Sequence, residues 1–400
     1  MTFRIVKRFL SNLFRRKMVE GTPFEDISSL IKNLNLQFFI ETTLMDADRA
    51  RDFRTLALIH ERVNAQCMDL IQAGGATADL QLILMHLRER IIRRVIALCS
   101  REMHRYLVRP PSKYVWFLAG SEGRGEPSFF TDQDNLIVYE RGSSRRIHDY
   151  FKNLSEKINN RLSQVGFEAC KGGVMARNEE WRGSLKQWQE RLELLFSSLK
   201  RDLGENLKIL MYLSVLLDAR FSSGDRSLSA VFVPMILDKA KNNHRFMAQM
   251  AQIATLEKVA ITLFRRFRLL DEEEHHGALN IKKSGILPLV NGIRLLSVKY
   301  AAQGPGSIQR VQSLEGMGVL DSDLSKEIQD GFYILTRVRL RNQVNRLGAG
   351  KGDDDLIIPS ELDPDEQDDL KRALMVVERV KQKVYKEFYL EIETASTDAR

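Results

Sequence analysis

Apolar residues recur at three- and four-residue steps from Phe24 to Leu107, as in Leu82, Met85, Ile91 and Ile92 through Val95 and Leu98. This spacing predicts amphipathic helices almost throughout, folded back on one another as a small bundle. Thr22 before Pro23, and Asp79 after the Gly74-Gly75 break, are the expected N-caps. Arg109-Pro110-Pro111-Ser112 ends the helical pattern. The period then changes to that of strands. Tyr114 to Leu118 is short, aromatic and apolar, and Asn135 to Tyr139 reads NLIVY. Between them runs a polar loop punctuated by glycine, Gly120-Ser121-Glu122-Gly123-Arg124-Gly125-Glu126. A helix from about Ser144 to Val165 follows, with its stripe on Ile147, Phe151, Leu154, Ile158 and Leu162. Beyond Gly183 the pattern is helical again to about Glu393, divided at Gly304-Pro305-Gly306. The run Asp353-Asp354-Asp355 and the turn at Asp363-Pro364 set off a last helix, Glu366 to Glu391.

The expected class is therefore α+β and mostly helical. An N-terminal helical domain covers 1–108, a small mixed-sheet domain 109–182 and a helical domain 183–400. A chain of 400 residues suits two or three domains. No apolar run approaches the roughly 20 residues that span a bilayer. Cys67, Cys99 and Cys170 include no C-x-x-C pair, which fits a reducing cytoplasm and offers no disulfide framework or structural zinc site.

Charge alters the picture at one end only. Of a net +8, most lies in the first twenty residues, where Arg4, Lys7, Arg8, Arg15, Arg16 and Lys17 face a single acid, Glu20. A near-neutral body with a basic tip does not suggest a nucleic-acid groove. Val6, Phe9, Leu10, Leu13 and Phe14 give the tip helical spacing, interrupted by charge as no secretory signal is. A terminal helix packed on its own domain is the favoured reading; contact with a membrane surface or a partner is the other.

The candidate chemistry lies in the glycine loop and in Thr131-Asp132-Gln133-Asp134-Asn135. Two acids one residue apart at the start of a strand point to the same side of the sheet. Asp132 and Asp134 could then share divalent cations, Mg²⁺ or Mn²⁺, whose remaining positions nucleotide phosphates fill. Gly120 and Ser121 let backbone N–H groups and a hydroxyl approach a triphosphate, and Arg124 is placed to neutralise its charge. A D-x-D pair alone is most often a solvated turn, and a glycine loop alone is weak evidence. The conjunction in this order is more specific. A P-loop is excluded because no G-K-[ST] follows the glycines. A dinucleotide fold is excluded because the loop leads to a strand instead of a long helix. Arg220, Lys282, Arg294, Arg339 and Arg341 are cations on apolar helices, fit to hold phosphate or an acidic substrate. For any one of them, an interhelical ion pair, such as Arg220 with Asp218 or Asp225, is the favoured reading. His60, His86 and His104 are isolated and read as structural or solvated; His275-His276 reads as part of an exposed acidic loop.

The string GSEGRGEPSFFTDQDNLIVY resembles that of nucleotidyltransferases related to the protein-PII uridylyltransferase, within the DNA polymerase β-type superfamily. The resemblance continues through Gly172-Gly173-Val174-Met175-Ala176, Asn178, Trp181-Arg182-Gly183-Ser184 and Trp188. Asp218, Arg220, Gly224 and Asp225, then Lys282, Arg294, Arg339 and Gln343, extend it. It implies a small nucleotidyltransferase domain followed by a helical substrate-binding domain. It also implies transfer of a nucleoside monophosphate from an NTP to a protein acceptor in signal transduction. Asp132 and Asp134 would be catalytic and metal-binding, Gly120, Ser121 and Arg124 nucleotide-binding, and Arg220 and Lys282 substrate-binding. Three departures stand out. No third carboxylate is apparent, Glu168 being the nearest; Asn280 and Asn342 replace the family's usual Asp and His; and a helical region precedes Ser112 where such proteins often carry CBS and cyclic-nucleotide modules. The missing carboxylate favours the alternative of a catalytically weak or inactive nucleotide-binding regulator. A scaffold that contacts its partner through the basic tip is the third possibility.

Overall fold

The computed structural model describes residues 27–74, 77–106, 110–130, 132–142, 144–256, 258–271, 277–350, 352 and 354–397. The expected cap at Thr22, the basic tip, Thr131, His275-His276 and Asp353 lie outside the described residues, as does the side chain of His104. The chain forms two compact units, residues 1–46 and residues 47–400. In the first, the described residues belong to helix α1 (Ile27–Arg49).

The second unit begins with two helices. In α2 (Phe53–Gln72), the Asp52 carboxylate accepts from Thr55 N–H at 2.8 Å and caps the first turn. Helix α3 (Thr77–Tyr106) starts before Asp79, which lies inside the first turn instead of capping it. An acid there still faces the positive end of the helix dipole.

After Pro110-Pro111 come β1 (Tyr114–Leu118), a single helical turn α4 (Gly120–Arg124), β2 (Asn135–Tyr139) and α5 (Arg145–Val165). Ser144 caps α5, Gly166 ends it at φ 103°, and Phe151, Leu154, Ile158 and Leu162 form its buried stripe, as the spacing predicts. Then follow β3 (Arg182–Ser184), α6 (Leu185–Ser197), α7 (Leu207–Leu216) and β4 (Arg220–Gly224). The sheet order is β3-β2-β1-β4. β1 is antiparallel to β2 and β4, while β2 and β3 run parallel, so the sheet is mixed. On one side Tyr139 stacks on Phe151 of α5 at 4.4 Å between ring centroids. On the other, the Trp188 indole donates to the Ile137 carbonyl, and Phe117 meets Phe232 at 5.2 Å.

Phe232 belongs to α8 (Arg226–Lys241), which leads to α9 (His244–Leu256) and a short strand β5 (Leu279–Asn280). A π-helical turn, Lys282–Ile286, opens α10 (Leu287–Tyr300). Helices α11 (Ser307–Gly316) and α12 (Ser322–Gly348), strand β6 (Leu356–Ile357) and α13 (Pro364–Thr397) complete the fold. One buried apolar cluster runs from Val115, Phe117 and Val138 in the sheet to Leu289, Leu335 and Val377 in these helices. The sheet and the C-terminal helices therefore share one core. β5 pairs with β6, and the two asparagines noted in the sequence secure this ribbon: Asn280 donates to Asp354 O at 3.2 Å, Asn342 to Leu356 O at 3.1 Å. No described helix is long and apolar enough to cross a membrane.

Candidate functional site

The glycine loop does not stay extended: it closes as the turn α4. Asp134 O accepts from Ala119 N–H at 2.9 Å and Ala119 O from Gly123 N–H at 2.8 Å, which ties the turn to the start of β2. Gly120 takes φ 55°, in the left-handed region, and a Cβ there would run into the Asp134 carboxylate. Glycine is thus required twice at this point, for backbone conformation and for space. The first N–H groups of a helical turn have no acceptor within it. Those of Gly120 and Ser121 are such groups, beside the two acids.

Residues 132 to 135 alternate as the strand period demands. Gln133 and Asn135 are buried. The Gln133 amide donates to Ser163 Oγ at 2.9 Å and Phe167 O at 3.1 Å, and the Asn159 amide donates to Gln133 Oε1 at 2.8 Å and Asn135 Oδ1 at 3.0 Å. Asn135 Oδ1 also accepts from Ala176 N–H at 3.0 Å. These amides sew the segment to α5 and to the Gly172–Ala176 loop, and the carboxylates of Asp132 and Asp134 converge as a pair.

Cys170 completes the group. Ligand atoms of Asp132, Asp134 and Cys170 all lie within 4.8 Å of one another. The segment carrying Cys170 runs beside Gln133, which bridges Ala169 and donates its N–H to Glu168 O at 2.9 Å. Glu168 itself is exposed and is not a member of the group. Asp134 Oδ1 is buried without a hydrogen-bond partner among the described residues. Burial, and then the charge of Asp132, pushes the Asp134 pKa up to about 7, against the hydrogen bond from the Cys170 thiol and the pull of Arg124 and Lys282. Burial, then Asp134, pushes the Cys170 thiol to about 12. A bound cation would reverse both shifts and supply the partner that Oδ1 lacks. The donor set therefore fits a divalent metal.

The expected cations divide into two sets. Lys282, half exposed at the head of the π-helical turn, lies 3.9 Å from Asp355 and lines a cleft with Ser121, Asp132, Phe130, Phe332 and Arg339. Arg339 is held by Asp355 at 2.5 Å. Arg124 also borders the cleft, but its guanidinium binds Glu126 at 2.6 Å and Asp218 at 2.7 Å. Burial works against its charge, and the two carboxylates overcome that and raise its pKa. Asp218 is itself buried and accepts from Arg294 at 2.6 Å and Arg310 at 3.0 Å. Burial would raise the Asp218 pKa, yet Arg294, Arg124 and Arg310 hold it well below the usual carboxylate range.

Arg220 faces the carbonyl side of the turn. It donates to Gly123 O at 2.8 Å and Glu122 O at 3.0 Å, and pairs with Glu89 at 2.7 Å, not with Asp218 or Asp225. One residue earlier on α3, Arg88 pairs with the buried Glu122 at 2.6 Å and donates to His60 Nε2 at 3.2 Å. His60 Nδ1 donates in turn to Val165 O at 3.1 Å, which fixes the tautomer. Burial, then Arg88, lowers the His60 pKa to about 3, so the ring is neutral. Two adjacent residues of α3 thus brace the turn that borders the acidic pair.

Residues 61–201 match the family model described as putative nucleotidyltransferase DUF294, and residues 244–388 that of the putative nucleotidyltransferase substrate binding domain. Together the two matches cover well over half of the chain. The chain belongs to this family of putative nucleotidyltransferases. No curated protein matches it. The DUF294 match takes in Glu89 and Arg88 of α3 as well as the sheet's first three strands, and the C-terminal match takes in Lys282, Arg294 and Arg339. Sequence reasoning missed Cys170 as a neighbour of the acids, and Gln133 and Asn135 as their supports. The amides had a signal, namely their strict alternation with the carboxylates; the cysteine had none.

Proposed function

We propose that the chain transfers a nucleoside monophosphate from an NTP to an acceptor hydroxyl. On the resemblance to the uridylyltransferases, that hydroxyl belongs to a protein in a signalling circuit. In the reaction the acceptor hydroxyl loses its proton to solvent, its oxygen bonds to the α-phosphorus, the bond from the α-phosphorus to the bridging oxygen of the β-phosphate breaks, and pyrophosphate leaves with the electron pair. The observation that carries this reading is the packing of Asp134 against Gly120 with Asp132 beside it, which puts a paired-carboxylate site at the mouth of a backbone turn able to meet phosphate. A bound Mg²⁺ or Mn²⁺ would neutralise phosphate charge and activate the acceptor oxygen. Asp132 and Asp134 would hold the cation, the N–H groups of Gly120 and Ser121 would meet phosphate oxygens, and Lys282, paired with Asp355, lines the same cleft. Arg124 contributes field and rigidity through its carboxylate partners, and Arg220 braces the turn from behind.

The test is incorporation of label from an α-labelled NTP into protein in an extract of the source cell. Transfer by the wild-type chain that disappears in Asp132→Asn and Asp134→Asn supports the reading. Release of label only as hydrolysed nucleotide, or none at all with saturable NTP binding, supports the second reading, a nucleotide-binding regulator. That second reading has its own observation: a thiol, not a third carboxylate, completes the acidic group.

A further inference from the structure

The Cys170 thiol hydrogen-bonds the carboxylate of Asp134. Its sulfur belongs to a three-residue cluster with two carboxylates, all ligand atoms within 4.8 Å. A thiol is a weak hydrogen-bond donor, and Asp134 Oδ1 in the same cluster remains buried and unpartnered. Burying a carboxylate oxygen without a partner is unfavourable unless something else occupies its lone pairs. The backbone is arranged to keep the sulfur there: Gln133 donates to Glu168 O at 2.9 Å and bridges Ala169, which aligns the 168–170 segment beside Asp132–Asp134. The exposed Glu168, two residues away, is left out of the group.

We propose that Cys170 is the third protein ligand of the cation held by Asp132 and Asp134, and that its sulfur tunes the site toward cations that accept thiolate, such as Co²⁺ or Zn²⁺, over Mg²⁺. The inference rests on the divalent-cation reading above. On binding, the S–H bond gives its proton to solvent and a metal–sulfur bond forms, with no change of oxidation state. Mg²⁺ demands oxygen ligands in near-ideal octahedral geometry, whereas Co²⁺ and Zn²⁺ tolerate mixed oxygen and sulfur sets. Replacing a carboxylate by a thiolate in an otherwise oxygen-lined site therefore penalises Mg²⁺ selectively.

The metal-free full chain is titrated with Co²⁺ and, separately, Mg²⁺, without nucleotide. Wild type is expected to develop a near-ultraviolet sulfur-to-cobalt charge-transfer band and to bind Co²⁺ about tenfold or more tighter than Mg²⁺. Cys170→Ser is expected to lose the band and about tenfold or more in Co²⁺ affinity. Cys170→Asp is expected to lose the band and shift preference toward Mg²⁺. A measurement on unmodified protein guards against misfolded variants: Co²⁺ or Zn²⁺ should protect Cys170 from alkylation, mapped by peptide, and leave the rates at the helix-buried Cys67 and Cys99 unchanged. Co²⁺ binding that requires Asp132 and Asp134 but gives no band and no protection overturns this proposal while leaving nucleotidyl transfer intact. A band that survives Cys170→Ser also overturns it. Absence of any saturable Co²⁺ binding overturns it too, and nucleotidyl transfer is then decided independently by the labelling experiment.

Discussion

The carboxylate of Asp134 rests against the α-carbon of Gly120, on the side where any other residue would carry its Cβ. The loop glycine and the strand acid, fourteen positions apart, are therefore one structural device. Gly120→Ala should collide with Asp134 and strain a backbone at φ 55°. The expected loss is about 1–3 kcal/mol of stability, together with cation binding, read by urea unfolding and by Mn²⁺ titration. Unchanged binding in a folded variant would show that the contact does not shape the site.

Asp134→Asn should stabilise the metal-free protein while abolishing its chemistry. The folded pKa lies near 7, above the ordinary 3.8. Below pH 4 both folded and unfolded chains carry the proton, and the substitution changes little. As pH rises from 4 to 7 the unfolded chain ionises first, so wild type loses stability relative to the variant. The gain should grow across that window and level off above pH 7 at about 2–4 kcal/mol. Urea midpoints at pH 4, 6 and 8 give the curve; a variant less stable than wild type at pH 8 contradicts it.

Asp218→Asn should be among the most damaging single changes. It leaves Arg124, Arg294 and Arg310 crowded around a neutral group in the interior. Removing one partner of a buried ionic cluster costs about 3–5 kcal/mol. Chemical denaturation measures it, and a loss under 1 kcal/mol would mean that water reaches these guanidiniums.

His60 sets an acid limit. Its folded pKa, near 3, is below the ordinary 6.5, so the unfolded chain takes up a proton first as pH falls. The stability associated with the neutral ring is complete above pH 6.5 and declines as pH falls toward 3. His60→Gln should flatten the dependence of the urea midpoint between pH 7 and 5, at some cost in stability throughout. An unaltered slope would assign the acid sensitivity to other groups.

Local patterns in the sequence carried the elements that are themselves local. The stripe of α5, the two strands around the glycine loop and the turn at Asp363-Pro364 follow from periodicity and breakers. Strand β4 did not, because RFSSG is short and polar and forms only by pairing with β1. The acid pair was legible since two side chains one residue apart on a strand share a face whatever the fold. The state of Arg124 was not: its partner Asp218 is 94 residues away, and no local pattern marks them as neighbours. For Arg220 the favoured ion pair is present but its partner was hidden for the same reason, the carboxylate lying on α3, 131 residues earlier. Cys170 joined the site through backbone pairing of residues 168 and 169 with Gln133, a tertiary fact with no sequence signature.

The brace from α3 sets a lower bound on what can be cut away. A fragment beginning at Lys113 would retain the acid pair, the glycine turn and Lys282, yet strip Glu122 of Arg88 and Arg220 of Glu89. Glu122 would become an orphan anion in the turn that borders the acidic pair. The smallest portable unit that keeps the acidic group in its setting thus includes α3, which contributes no atom to that group, and any shift of α3 along its axis would be felt first at the Gly120–Arg124 turn.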